Sequence, residues 1–138
     1  MTNPIRYQTE HNLSVGEFAS LLQRSTLGER RPVEDTPRLQ SMLQHANLIV
    51  TARDGDLLVG ISRALSDFSF CTYLSDLAVD ERYQKQGIGK ELIRHTKEAA
   101  PLAKLILIAA PKAVGYYPKI GMQRHENCYI LEDVNTLR

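Results

Sequence analysis

Arg82-Tyr83-Gln84-Lys85-Gln86-Gly87-Ile88-Gly89-Lys90 is the stretch on which the fold turns. Before it runs Tyr73-Leu74-Ser75-Asp76-Leu77-Ala78-Val79, whose branched and aromatic residues predict a buried strand. After it, Ile88, Leu92, Ile93 and Thr96 fall on one helical face, with Lys90, Glu91, Arg94 and Lys97 on the other. A strand, a basic glycine-containing turn and a helix N-terminus together make an anion site. The turn leaves N–H groups unpaired, the helix dipole adds partial positive charge, and glycine lets backbone approach phosphate closely. The chain is therefore expected to hold a phosphorylated cofactor.

Two common phosphate loops do not fit. A Walker loop needs glycine where Gln84 stands and Ser or Thr where Glu91 stands. A dinucleotide fingerprint needs glycine or alanine at Leu92. What remains is Gln84-Lys85-Gln86-Gly87-Ile88-Gly89, a Gln/Arg-x-x-Gly-x-Gly/Ala pattern. Here the sequence resembles the GNAT superfamily of acyl-CoA-dependent N-acyltransferases, in which this loop wraps the pyrophosphate of coenzyme A. A second match lies downstream of the apolar run Lys104–Ala110. Ala113-Val114-Gly115-Tyr116-Tyr117-Pro118-Lys119-Ile120-Gly121-Met122 is similar to the family's Ala-x-x-Phe-Tyr-x-Lys-x-Gly-Phe segment, which brings a tyrosine near the cofactor thiol. Alone, Gly87 and Gly89 fit a plain strand–helix turn, and Tyr116 and Tyr117 fit ordinary half-buried aromatics. The two motifs in this order favour the family.

Composition bounds the reading further. The 138 residues, 43% hydrophobic, suit one domain over residues 1–138. A net charge of +1 gives no electrostatic case for nucleic acid or a membrane surface. No apolar run reaches the length of a membrane span, and Met1-Thr2-Asn3-Pro4 does not read as a signal peptide. Cys71 and Cys128 form neither a CxxC pair nor a metal spacing, so they are expected as reduced core or near-core thiols in a cytoplasmic protein. His125-Glu126-Asn127-Cys128-Tyr129 lacks the second histidine of a zinc motif, and no metal is expected.

Along the chain, Ile5–Gln8 is expected as a first strand. Ser14-Val15-Gly16-Glu17 reads as a capping box, with Leu13 stapled to Phe18. Residues 24–35 carry charge without periodicity and read as a mobile loop. Thr36 and Pro37 are expected to cap and open a second helix with Leu39, Met42 and Leu43 inside. Leu48–Arg53 and Leu57–Ser62 flank Asp54-Gly55, a type I′ hairpin signal. A further connection near Phe68-Ser69-Phe70 precedes the central strand, and Cys128–Leu131 is expected as the last strand. The order β-α-α-β-β-β-α-β-α-β predicts an α/β (α+β) fold, a mixed, mostly antiparallel sheet with helices on both faces. The resemblance implies that this is the GNAT arrangement.

The resemblance also implies chemistry: a substrate amine attacks the thioester of acetyl-CoA directly, without an acyl-enzyme. Gln84, Lys85, Gln86, Gly87, Ile88, Gly89 and Lys90 would hold the pyrophosphate. Leu77, Ala78 and Val79 would pair with the pantetheine arm and supply an oxyanion N–H. The leaving thiol and a tyrosine differ by about 1.5 pH units, or ~2 kcal/mol, so Tyr117 can serve as general acid. Pro118 is expected to disturb helical geometry at Tyr117, which keeps Tyr116 as the substitute. Asp76 is the only carboxylate on the central strand, and it reads either as a base for the amine or as a structural acceptor. Strict alternation turns it away from the face of Ser75 and Leu77 unless a β-bulge intervenes. The acceptor, a small-molecule or peptide amine, would be shaped by the 24–35 loop and the Phe68–Cys71 turn. A homodimer, a longer acyl group and a non-catalytic acyl-CoA-binding module stay open as alternatives.

Overall fold

The computed structural model describes residues 4–138, so the polar start at Met1-Thr2-Asn3 lies outside the described residues. The chain divides into two compact units, residues 1–108 and 109–138.

The first unit is a five-stranded sheet in the order β1-β2-β3-β4-β5. Its strands are Arg6–Thr9, Leu48–Asp54, Leu57–Ser66, Cys71–Val79 and Lys104–Leu107. The first four run antiparallel to their neighbours, and β5 joins β4 in parallel. Helices α1 (Val15–Arg24) and α2 (Thr36–His45) cover one face. Phe18, Leu21, Leu22, Leu39 and Leu43 pack there on Ile49, Leu58, Ile61 and Ala78. On the other face α3 (Ile88–Ala99) buries Ile88 and Leu92 against Val50, Ala52, Val59 and Ala64. This is the expected mixed, mostly antiparallel sheet with helices on both faces.

Local chemistry sets the boundaries. The Ser14 hydroxyl accepts from the Glu17 N–H at 3.1 Å and caps α1. Asp35, rather than Thr36, caps α2 by accepting from the Arg38 N–H at 3.1 Å, because its carboxylate competes better for an N3 donor than the next residue's hydroxyl. The first hairpin turns at Gly55-Asp56, one residue later than expected. Only Gly55 has positive φ (60°), as in a type II′ rather than a type I′ turn.

Residues 24–35, expected as a mobile loop, carry structure of their own. A 3-10 turn occupies Leu27–Arg30, Leu27 and Val33 pack on the α1/α2 core, and Arg31 is ion-paired to a buried carboxylate. The charges that broke the apolar periodicity here are partly spent inside the protein. Gly60 lies under α3, and a Cβ there would meet Leu92 Cδ1 at 3.0 Å and Ile88 Cγ2 at 3.1 Å. The absent side chain thus lets the first turn of α3 sit close to β3. Ser62 Oγ and Thr96 Oγ1, 2.7 Å apart and buried, tie the same two elements.

The second unit holds a one-turn helix α4 (Tyr116–Lys119), two short 3-10 turns and otherwise irregular chain. Cys128–Leu131 forms no strand, and Tyr129, Ile130 and Leu131 are exposed. Strand propensity alone, without ladder pairing, does not make a strand. Cys71 and Cys128 are also exposed rather than in the core. Among the described residues, no helix is long and apolar enough to cross a membrane.

Candidate acyl-donor site

Between Val79 and Ile88 the chain makes an exposed connection with three tethers. Asp80 is buried and binds the guanidinium of Arg24, which reaches over from α1 and also donates to the Leu58 carbonyl at 2.9 Å. Asp80 further accepts from the Arg82 N–H at 2.9 Å. The Tyr83 hydroxyl donates to Asp54 in the first hairpin at 2.7 Å. Gln84 Nε2 donates to the Val79 carbonyl at 3.1 Å.

Held at its base, the turn takes an unusual path. Lys85 and Gly87 both have positive φ, 65° and 83°. Gly87 is the N-cap of α3 and makes no side-chain cap bond, so the first-turn N–H groups face outward without an intrahelical partner. Gln84, Lys85, Gln86, Gly87 and Lys90 are exposed, whereas Ile88 is buried and anchors the helix in the core. Left-handed residues at Lys85 and Gly87, beside a helix N-terminus, leave backbone N–H donors available on the exposed side of the turn. The arrangement therefore fits an anionic ligand such as a pyrophosphate.

Strand β4 supplies a second feature. Its partner β5 pairs only with Cys71–Leu74, while β4 runs on to Val79. The Asp80 N–H donates to Val59 on β3 at 2.8 Å. Antiparallel alternation then turns Ala78 toward β3 and points the backbone groups of Leu77 and Val79 at the opposite edge, beyond the reach of β5. Ala78 itself is buried in the α1/α2 core. Thus Leu77 and Val79 offer a strand-like edge, and Ala78 contributes only packing.

A β-bulge lies between these regions. The register pairs Arg63 with Asp76 but Ala64 with Leu74, leaving Ser75 as the extra residue. The bulge reverses the alternation, so the Ser75 hydroxyl and the Asp76 carboxylate both reach Arg63. Asp76 has no exposed surface, and its two oxygens are taken by Arg63 and Arg31. Arg31 also donates to the Ser75 carbonyl at 2.9 Å, and Arg63 to the Met42 carbonyl of α2 at 3.2 Å. Neither Arg31 nor Arg63 stood out in sequence, because each is one arginine among many. A lone acid on a central strand was the available signal that buried cations would accompany it.

In the second unit, Tyr117 is half-buried and its ring meets Tyr116 edge-on, with centroids 5.2 Å apart. Burial, and to a lesser extent the neighbouring Tyr116, push the Tyr117 hydroxyl above its ordinary value. It therefore stays protonated at neutral pH. Pro118 does not disrupt the turn, since it sits in the first turn of α4, where no backbone N–H is needed. Elsewhere, a cavity of about 530 Å³ lined by His11, Asn12, Gln40 and Ile49 includes no residue of either motif.

Comparison with known proteins agrees with this geometry. The acetyltransferase (GNAT) domain family model matches residues 29–133, across both units, and the chain belongs to that family. The chloroplastic GCN5-related N-acetyltransferase 2 of Arabidopsis thaliana is 33% identical over 69 residues, which cover 48% of this chain and 27% of that protein. This chain thus spans well under half the length of that relative. A GNAT-family acetyltransferase from Streptococcus pneumoniae superposes with a TM-score of 0.78 at 26% identity, covering 96% of this chain and 98% of that one. An aminoglycoside N-acetyltransferase in complex with CoA shares the fold at a TM-score of 0.73 and 12% identity, with 97% of each chain covered.

The tether at Asp80 predicts a pH signature. Burial alone would raise the Asp80 carboxyl, but the Arg82 N–H and the Arg24 and Arg82 guanidinium groups outweigh it and hold the carboxyl below its usual range. A depressed folded value contributes stability above the unfolded value, near 4, and loses it as pH falls through the folded one. Asp80→Asn should therefore cost about 2 kcal/mol at pH 7, discounted because Arg24 is a quarter exposed. Urea unfolding should show that gap unchanged down to about pH 4 and narrowing below it. A gap that widens in acid would remove this role from the tether.

Proposed function

We infer that this protein is an acetyl-CoA-dependent N-acetyltransferase that moves an acetyl group to a primary amine of a small molecule or peptide by direct attack. The observation that carries the reading is one continuous surface on β4 and α3. The free backbone edge at Leu77 and Val79 leads to the left-handed turn at Lys85 and Gly87 and the uncapped N-terminus of α3. The edge suits the amide-bearing arm of coenzyme A, and the turn suits its pyrophosphate. The two exposed, unpaired thiols suit a reducing compartment, consistent with a cytoplasmic protein.

Acetyl-CoA supplies the acetyl group as a thioester. An outward N–H on the β4 edge polarises the carbonyl oxygen. The acceptor nitrogen forms its bond to the acetyl carbon as the carbon–sulfur bond breaks, and the nitrogen gives up a proton to water, from which Tyr117 regains the one it donates. Tyr117 delivers a proton to the departing sulfur, an assignment that rests on its place in the second motif. Its raised value keeps the donor form populated but widens the mismatch with a thiol, so the gain from Tyr117 comes from positioning. Asp76 presents no free oxygen to an amine. Of its two readings, the geometry favours the structural one, as the anion that holds Arg31 and Arg63 around the bulge.

Three outcomes test this reading. Coenzyme A should raise the Tm of the wild-type protein, and Gly87→Val should weaken binding at least about tenfold by calorimetry, since a β-branched residue resists φ near +83°. Gly87→Asn, which tolerates that φ, should keep more of the affinity, and equal binding by both variants would undo the loop assignment.

Tyr117→Phe should lower kcat by about 10²-fold or more while coenzyme A affinity stays near wild type. Full single-turnover activity in both Tyr117→Phe and Tyr116→Phe would remove the tyrosine from the chemistry.

Asp76→Asn should cost on the order of 3 kcal/mol by leaving two guanidinium groups without their counter-charge. The pH–rate profile of the folded variant should keep its shape. A lost acidic limb, the one that protonation of a base produces, would return Asp76 to the role of base.

A further inference from the structure

Arg63 donates to the Met42 carbonyl, so its side chain lies on the α1/α2 face of the sheet, and Leu65, two residues on, shares that face. The register places Leu65 beside Tyr73 and Tyr73 beside Ile106. Partners in register project to the same side, so three apolar side chains form a row across β3, β4 and β5. All three are exposed, at 42%, 40% and 44%, on the face whose other part α1 and α2 cover, and the next pair on that face, Cys71 and Lys104, is exposed as well. At a strand spacing near 4.8 Å the row is about 10 Å long, the breadth of an aromatic ring with a short chain.

Its position ties it to the reaction. Tyr73 and Ile106 pair one step before Leu74 and Leu107, the last rung before β5 leaves β4. A ligand arm lying along Leu77 and Val79 from the phosphate turn reaches the parting point after about 13 Å, four residues of strand. The row therefore begins where the acyl end of such a ligand arrives.

Nearby charge disfavours a cationic occupant. The cluster of Arg31, Arg63 and Asp76 sets two guanidinium groups against one carboxylate and is net positive. Asp67, in the turn that closes β3 and β4, accepts from the N–H groups of Phe70, Ser69 and Cys71, which hold its carboxyl down to about 2. Both carboxylates nearest the row in sequence are thus already engaged.

We propose that Leu65, Tyr73 and Ile106 form the acceptor subsite, and that the acceptor is a primary amine with an aryl or branched-alkyl body and no second cationic group. This rests on the acetyltransferase reading and adds the substrate class. The net positive cluster favours the neutral amine, the form with a lone pair for attack. The transfer balances as above: the nitrogen–carbon bond replaces the carbon–sulfur bond, the amine loses a proton and the thiolate gains one.

The test measures acetyl-CoA consumption by the wild-type protein with phenethylamine, isoamylamine, ethanolamine, spermidine and an aminoglycoside. The two apolar-bodied amines should exceed the other three in kcat/KM by at least about tenfold, because each buried methylene adds about 0.8 kcal/mol. Tyr73→Ala and Ile106→Asp should each raise the KM for phenethylamine about tenfold or more with the KM for acetyl-CoA unchanged. Turnover confined to ethanolamine or the polycations would overturn the acceptor class and leave the acetyltransferase reading standing. Coenzyme A binding with no turnover of any amine would overturn both. A dimer in sedimentation that Ile106→Asp converts to monomer, with acceptor KM unchanged, would reassign the row to a second copy of the chain.

Discussion

The carboxylate of Asp76 between Arg31 and Arg63 is the interaction on which the working surface depends. An extra residue in a strand leaves backbone groups unpaired and bends the ladder, so a bulge in a sheet interior must be satisfied from outside the sheet. Here Arg31 takes the Ser75 carbonyl and Arg63 takes the Ser75 hydroxyl, while Asp76 neutralises part of both charges. Arg31 comes from the 24–35 segment and Arg63 reaches the Met42 carbonyl of α2, so the bulge is braced from two directions. Beyond the bulge β4 continues without β5, and its free edge begins there.

The turn between β4 and α3 follows from a related economy. Asp80, Tyr83 and Gln84 spend their polar groups on Arg24, Asp54 and the Val79 carbonyl, which fixes the base of the turn. Lys85 and Gly87 can then hold left-handed conformations that a loose loop would not maintain. Gly60 and the Ser62–Thr96 contact press α3 onto β3 and set where its N-terminus points. Most of these residues lie in or beside the sheet, so the turn borrows rigidity from the core rather than from its own length.

Much of this was legible because it follows from short-range rules. The 71–79 strand, the 88–99 helix and the Ser14 cap reflect periodicity and local hydrogen bonding, which sequence displays directly. The glycine turn was legible as a turn because Gly87 occupies a conformation open chiefly to glycine. What stayed hidden was long-range pairing. Arg31 and Asp76 are 45 residues apart, and no local pattern links them. The charges of residues 24–35 therefore read as those of a mobile loop, and the direction of Asp76 hung on a bulge that composition does not encode. Cys128–Leu131 failed for the opposite reason: its residues favour a strand, but propensity alone does not supply ladder pairing.

The Gln84 side chain has one more consequence. By occupying the Val79 carbonyl, it removes the last acceptor from the free edge of β4. A ligand that docks there as an added strand meets the Leu77 groups and the Val79 N–H, and then a filled position. Such a ligand could not slide a further step toward the 84–87 turn without displacing a protein donor. The amide side chain would then set its register, and with it how far along β4 its opposite end lies.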